Sequence, residues 1–157
     1  MTIKKPFLQA GFLDYLERLN ESAPAIADIA LAPPLAHILL AADNNGPLSK
    51  AGEHLITLLQ ARRAVRQAAF DTELAADELR RYQKFVKPGQ PSPHIVGLRQ
   101  KQAAARQATH VAKQSFVKAA TAFVREAVIE VPQRLAIEVF IEHWIDANVP
   151  KDFAPTA

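Results

Sequence analysis

KPGQPSPH, residues 87 to 94, is the stretch on which the reading of the fold turns. Three prolines within it remove backbone donors and fix φ, the glycine adds freedom, and together they forbid helix and favour a tight, extended connection. On either side lie the two longest proline-free runs of the chain, 48 to 87 and 94 to 131; the remaining prolines stand at 6, 24, 33, 34, 47, 132, 150 and 155. The spacing predicts a helical hairpin with arms over about 48–86 and 95–131 and its tip at 87–94. At 1.5 Å per residue each arm reaches roughly 50 Å.

Both runs carry apolar seams. The first opens after Asn44-Asn45-Gly46-Pro47, capping residues ahead of a proline whose missing N–H costs nothing in a first turn, and Ser49 is a further capping candidate. Leu58, Ala61, Val65, Ala68, Thr72, Ala75, Leu79, Tyr82 and Val86 then follow 3-4 spacing. In the second run Ala105, Ala108, Ala112, Phe116, Ala119, Phe123 and Ala127 follow 3-4-4 spacing. That eleven-residue rhythm does not supercoil in the sense of a heptad, so packing against additional helices is expected rather than a long regular two-stranded coil.

Additional helices are available. Residues 6 to 19 align Leu8, Phe12, Tyr15, Leu16 and Leu19, and residues 24 to 43 supply two short apolar pieces broken at Pro33-Pro34. A last helix, opened by Pro132 and ended before Pro150, carries Leu135, Ala136, Ile137, Val139, Phe140, Ile141, Trp144 and Ile145 round most of its circumference, which predicts burial on more than one side: a central position in the bundle first, a subunit interface as the alternative. No segment alternates as a strand does, and no repeat is found. The expectation is a single all-α domain over 1–157: a helical bundle of five or six helices built around a long antiparallel helical hairpin.

Composition closes several function classes. The chain of 157 residues has no cysteine, which excludes a disulfide scaffold, a thiolate metal knot and a thiol nucleophile. Asp14, Glu17 and Arg18 interrupt the stretch where a signal peptide needs unbroken apolar character, so a cytoplasmic protein is expected. The window Pro24 to Ala42 is about as long as a bilayer span, yet it holds Asp28, His37 and the proline pair, which predicts buried helices and no membrane insertion.

Charge is segregated behind a net +3. Between Leu79 and Arg125 stand ten basic residues, Arg80, Arg81, Lys84, Lys87, Arg99, Lys101, Arg106, Lys113, Lys118 and Arg125, and no acidic one; residues 126 to 157 then carry six acidic and two basic residues. On a helical wheel Arg99, Arg106, His110 and Lys113 fall together, with Gln107, Gln114, Lys118, Thr121 and Arg125 beside them and Leu98, Ala105, Ala112, Phe116 and Phe123 opposite. A solvated face ordinarily interleaves both signs, so a polyanion tracked by its phosphates is the leading expectation. The structural alternative is that the acidic C-terminal helix, of this chain or a neighbour, covers the basic face. Phe85 near the tip is the only aromatic side chain placed to stack on a base, which argues against single-strand binding by stacking.

Catalytic and cofactor signals are missing. His37, His54, His94, His110 and His143 form no HExxH or repeated Glu-x-x-His pattern; Glu142, His143 and Asp146 make the only compact titratable cluster, read as a polar stripe on a packed helix. The glycines form neither GxGxxG nor GxxxxGK[ST], and Ser92 and Ser115 have no acid and base nearby in sequence. The sequence reading is a non-enzymatic nucleic-acid-binding or nucleic-acid-coating subunit, with no catalytic residue, metal or cofactor, whose ten cations meet a DNA or RNA backbone. Its alternative is an adaptor or structural assembly subunit, a homo-oligomer or part of a larger complex, docking on protein through the hairpin and the apolar C-terminal helix.

Overall fold

The computed structural model describes residues 7–22, Leu35, Ile38, 49–85 and 92–152. It is all-helical, with four helices among the described residues: α1 (Ala10–Ser22), α2 (Lys50–Gln83), α3 (Pro93–Ala127) and α4 (Ile137–Asn148). Five or six helices were expected, and the count is not matched. The two short pieces expected at 24–43 lie outside the described residues, apart from Leu35 and Ile38, which are buried in the core. No described helix is long and apolar enough to cross a membrane.

The hairpin is present, and its ends have local causes. Ser49 caps α2: its hydroxyl accepts from Gly52 N at 3.0 Å and donates to Ile38 O at 2.7 Å. Ser92 caps α3, accepting from Ile95 N at 3.4 Å, and Pro93 occupies the first turn, where no N–H is needed. The second arm therefore starts two residues before its expected start at 95. It stops at Ala127 rather than 131 because Val128 turns left-handed (φ 56°, ψ 50°), letting Ile129 N donate to Val124 O at 2.9 Å.

Helices α2 and α3 pack antiparallel along their length, and the register corrects the expected seam of α3. Leu98, Gln102, Ala105, Thr109, Ala112, Phe116, Ala119 and Phe123 are buried or half-buried, a regular 4-3 rhythm, whereas Ala108 is exposed. Thr109 takes the place the apolar pattern gave to Ala108, and Gln102 extends the seam towards the tip, so the buried positions from 98 to 123 follow heptad spacing. At that point the Thr72 and Thr109 hydroxyls lie 2.9 Å apart, and Thr109 Oγ1 is 3.2 Å from Ala68 O across the interface. Alanine at 68, 75, 105 and 112 is what lets two backbones approach so closely.

The core occupies the end of the hairpin away from its tip. Phe12, Leu13 and Leu16 of α1, Leu55, Leu58 and Leu59 of α2, Phe116, Ala120 and Phe123 of α3, and Ile141 and Ile145 of α4 form one cluster. Leu8, expected on the inner face of α1, is exposed because the helix starts two residues after it, and Leu13 takes its place. Tyr15 packs with Phe12, and burial pushes its hydroxyl above the ordinary tyrosine range.

Helix α4 corrects the expectation of a central helix opened by Pro132. Pro132 to Leu135 instead forms a turn, with Leu135 N donating to Pro132 O at 3.1 Å, and Ala136 caps the helix without a side-chain bond. Only one face is covered: Ile141, Ile145 and Val149 are buried, Trp144 stands edge-on to Phe123 at 5.1 Å, and Leu135 and Val139 are exposed. Arg62 Nη1 clamps the helix through Glu142 Oε1 at 2.9 Å while its guanidinium lies 5.9 Å over the Phe116 ring. After α4 the chain returns to the segment that leads into α1, where Asp152 N donates to Leu8 O at 2.8 Å.

Candidate nucleic-acid interface

Because the heptad seam fixes which side of α3 faces α2, it also fixes which side faces water. Arg99, Arg106 and Lys113 follow at seven-residue steps, about 10 Å apart along the axis, and all three are exposed. Lys118 and Arg125 are exposed too, about 100° further round and nearer the core end. The cations thus spread over the open side of the helix rather than in one narrow stripe. Polar groups lie among them: Gln114 and His110 are 3.1 Å apart, and Thr121 is occupied in donating to Val117 O.

Arg80 and Arg81 of α2 and Lys84, which follows it, are exposed near the tip and line an open depression of about 390 Å³ together with Asp77. Lys87 lies outside the described residues. The stretch without carboxylates starts at Leu79, one residue after Glu78, and the fold brings two carboxylates to it. Arg80 pairs with Asp77, and Lys101 Nζ reaches Glu78 Oε2 across the hairpin at 3.0 Å. The other seven, Arg81, Lys84, Arg99, Arg106, Lys113, Lys118 and Arg125, have no carboxylate partner among the described residues. Arg63, exposed on α2 with no such partner either, was not singled out by the sequence reading, although the Arg62-Arg63 doublet marks it.

The acidic C-terminal helix does not cover this surface within the chain. Glu142 is taken by Arg62 of α2, and Asp146 Oδ1 accepts from Gln9 Nε2 at 3.4 Å. Aromatic side chains are largely committed: Phe123 is buried, Phe116 lies under Arg62, and Tyr82 sits 4.2 Å from the His94 ring, which leaves Phe85 exposed beside the tip. Among the described residues no three His, Asp or Glu side chains gather as a metal-binding group.

No protein-family model, curated protein or solved structure matches the chain at a significant level.

Proposed function

We propose that this protein is a non-enzymatic helical subunit that binds or coats nucleic acid through the open side of α3 and the neck of the hairpin tip. The observation that carries this reading is the set of seven exposed cations without carboxylate partners among the described residues. Steps of about 10 Å between Arg99, Arg106 and Lys113 suit separate phosphates, and the neutral amides between them favour contacts that follow a backbone rather than read bases.

Binding of a generic duplex and a single strand should be measured as a function of salt. Each neutralised phosphate adds roughly 0.7 to 0.9 to the slope of log affinity against log salt, so changing Arg99, Arg106 and Lys113 together to Gln should flatten it by about two to three units. Affinity should fall similarly on every sequence, with the helical circular dichroism unchanged because all three side chains point away from the core. No detectable binding at low salt, or a triple variant that binds like the parent, would refute the reading.

The alternative, docking on protein, draws on a separate observation: Phe85 and Val96, which flank the tip in sequence, and Val128, Leu135 and Val139, beyond the far end of α3, are exposed apolar side chains.

A further inference from the structure

We propose that double-stranded nucleic acid lies lengthwise along one edge of the hairpin, the edge on which α3 presents Arg99, Arg106 and Lys113, and that the opposite edge takes no part. This rests on the phosphate reading above and adds to it the strandedness of the partner and the side on which it binds.

Two antiparallel helices that share a seam have two edges, and side-chain contacts tell them apart. Across one edge Lys101 Nζ meets Glu78 Oε2 at 3.0 Å. Seven-residue steps from that pair place Ala108 and Ser115 of α3 and Asp71 and Ala64 of α2 on the same side. Across the other edge the Arg62 guanidinium of α2 lies over Phe116 of α3. Seven-residue steps from Arg62 give Ala69, Ala76 and Gln83, and the row of α3 that faces them is Arg99, Arg106 and Lys113. One edge is therefore cationic against an uncharged wall, and the other holds an ion pair, a carboxylate and small residues.

The charges around the cationic edge are few. Outward on α3 the next row is Val96, Ala103 and His110, and outward on α2 it is Arg66, Glu73 and Arg80. Arg80 is paired with Asp77, and Glu73 is exposed with no ion-pair partner among the described residues. Glu142 of α4, at the core end, is held by Arg62 at 2.9 Å. The other cations face elsewhere: Arg81 and Lys84 line the depression that also holds Asp77, and Lys118 and Arg125, with Glu126 next to it, lie further round α3.

The core sets the length of the row. Its next member after Lys113 is Ala120, which is fully buried in the core cluster. Arg99 to Lys113 spans about 21 Å, the rise of roughly six base pairs. Between them α3 has no Phe, Tyr or Trp, and Phe70 and Tyr82 on the facing stretch of α2 are half-buried. The bases of a single strand find no stacking surface there, whereas a duplex brings one phosphate charge per about 1.7 Å to a row that offers charge alone.

The test compares a duplex of about ten base pairs with a single strand of equal phosphate number, at about 0.1 M salt and above, where charges more than about 10 Å apart are largely screened. The parent should bind the duplex more tightly, with Arg99, Arg106 and Lys113 supplying about 2.7 of the slope of log affinity against log salt. Lys118→Gln with Arg125→Gln should leave that slope unchanged. Glu73→Gln and Asp71→Asn each remove one exposed carboxylate, but from opposite sides of α2. Glu73→Gln should tighten binding roughly two- to fivefold, the size of an exposed charge interaction, and Asp71→Asn by less than about 1.5-fold. If neither probe binds, the phosphate reading fails and this proposal with it. If the duplex binds but Asp71→Asn tightens it as much as Glu73→Gln, or the change at 118 and 125 flattens the slope as much as the triple change at 99, 106 and 113, the assignment of the edge is overturned while the phosphate reading stands. A single strand that binds as tightly as the duplex overturns the strandedness.

Discussion

At the core end of the hairpin α2 and α3 meet through Leu55, Leu58, Leu59, Phe116 and Phe123, with α1 and α4 packed around them; towards the tip they meet through Ala68, Thr72, Ala75, Ala105 and Thr109. The same two helices, in one continuous register, are thus held by two kinds of contact. Every one of the largest fully buried side chains belongs to the first region, while the buried apolar side chains of the arm are Ala68, Ala75 and Leu98. An alanine contributes little transfer free energy, so the arm depends on close backbone contact and on the Thr72–Thr109 hydroxyl pair, and the core end on area removed from water. The positively charged surface runs across both regions, from Arg81, Lys84, Arg99 and Arg106 along the arm to Lys118 and Arg125 on the outer side of α3 at the core end.

The strongest way to break this comparison is to cut a large side chain from each region. Phe123→Ala should cost about 3–5 kcal/mol of unfolding free energy, because it leaves a cavity among four helices and removes the ring that Trp144 packs against. Leu98→Ala lies in the arm, outside the core cluster, and should cost closer to 2 kcal/mol, the low end for a buried leucine. Chemical denaturation of both variants checks the pair, and equal losses would mean that the arm is as well packed as the bundle.

A second test asks whether the arm opens by itself. Amides at 72–83 and 95–108 should exchange at least about tenfold faster than those at 55–62 and 116–124, a difference of about 1.4 kcal/mol in opening free energy. Gly97→Ala sharpens the contrast. A Cβ at Gly97 meets nothing within 4 Å, so the substitution should stabilise α3 by about 0.5–1 kcal/mol and slow exchange in the arm, with the core end unchanged. Uniform slowing along both helices would show that arm and bundle open as one unit.

How far the sequence could be read follows the same division. Capping serines mark helix ends by local chemistry, and Ser49 was read as a cap on that ground, whereas Ser92-Pro93 was placed inside the tip because three prolines were taken to forbid helix, although a proline in a first turn does not. Thr109 was passed over for Ala108 because residue type was taken as a guide to burial, and a threonine whose one hydroxyl proton has carbonyl acceptors within reach on both helices breaks that equation. The ion pairs of Arg80 and Lys101 were missed because the basic stretch was bounded in sequence, whereas Glu78 lies 23 residues from Lys101 and only the antiparallel register brings them together. Helix α4 was placed too centrally for a related reason: an apolar circumference says that a helix has faces to cover and does not say that its own chain covers them.

The smallest expected effect belongs to the core end and appears only in alkali. An unfolded tyrosine titrates near 10.0, and burial of Tyr15 raises its value in the folded protein. Above pH 10 the folded chain therefore keeps a proton that the unfolded chain gives up. The stability linked to Tyr15 is fully present below that pH and declines as pH rises through the folded value. Tyr15→Phe removes this slope while keeping the ring against Phe12. Denaturation midpoints read from the fluorescence of Trp144, the single tryptophan and a neighbour of Phe123, should fall more steeply in the parent than in the variant between about pH 9 and about pH 11. Parallel curves would mean that Tyr15 already meets water in the folded state, and the boundary of the core on the α1 side would have to be redrawn.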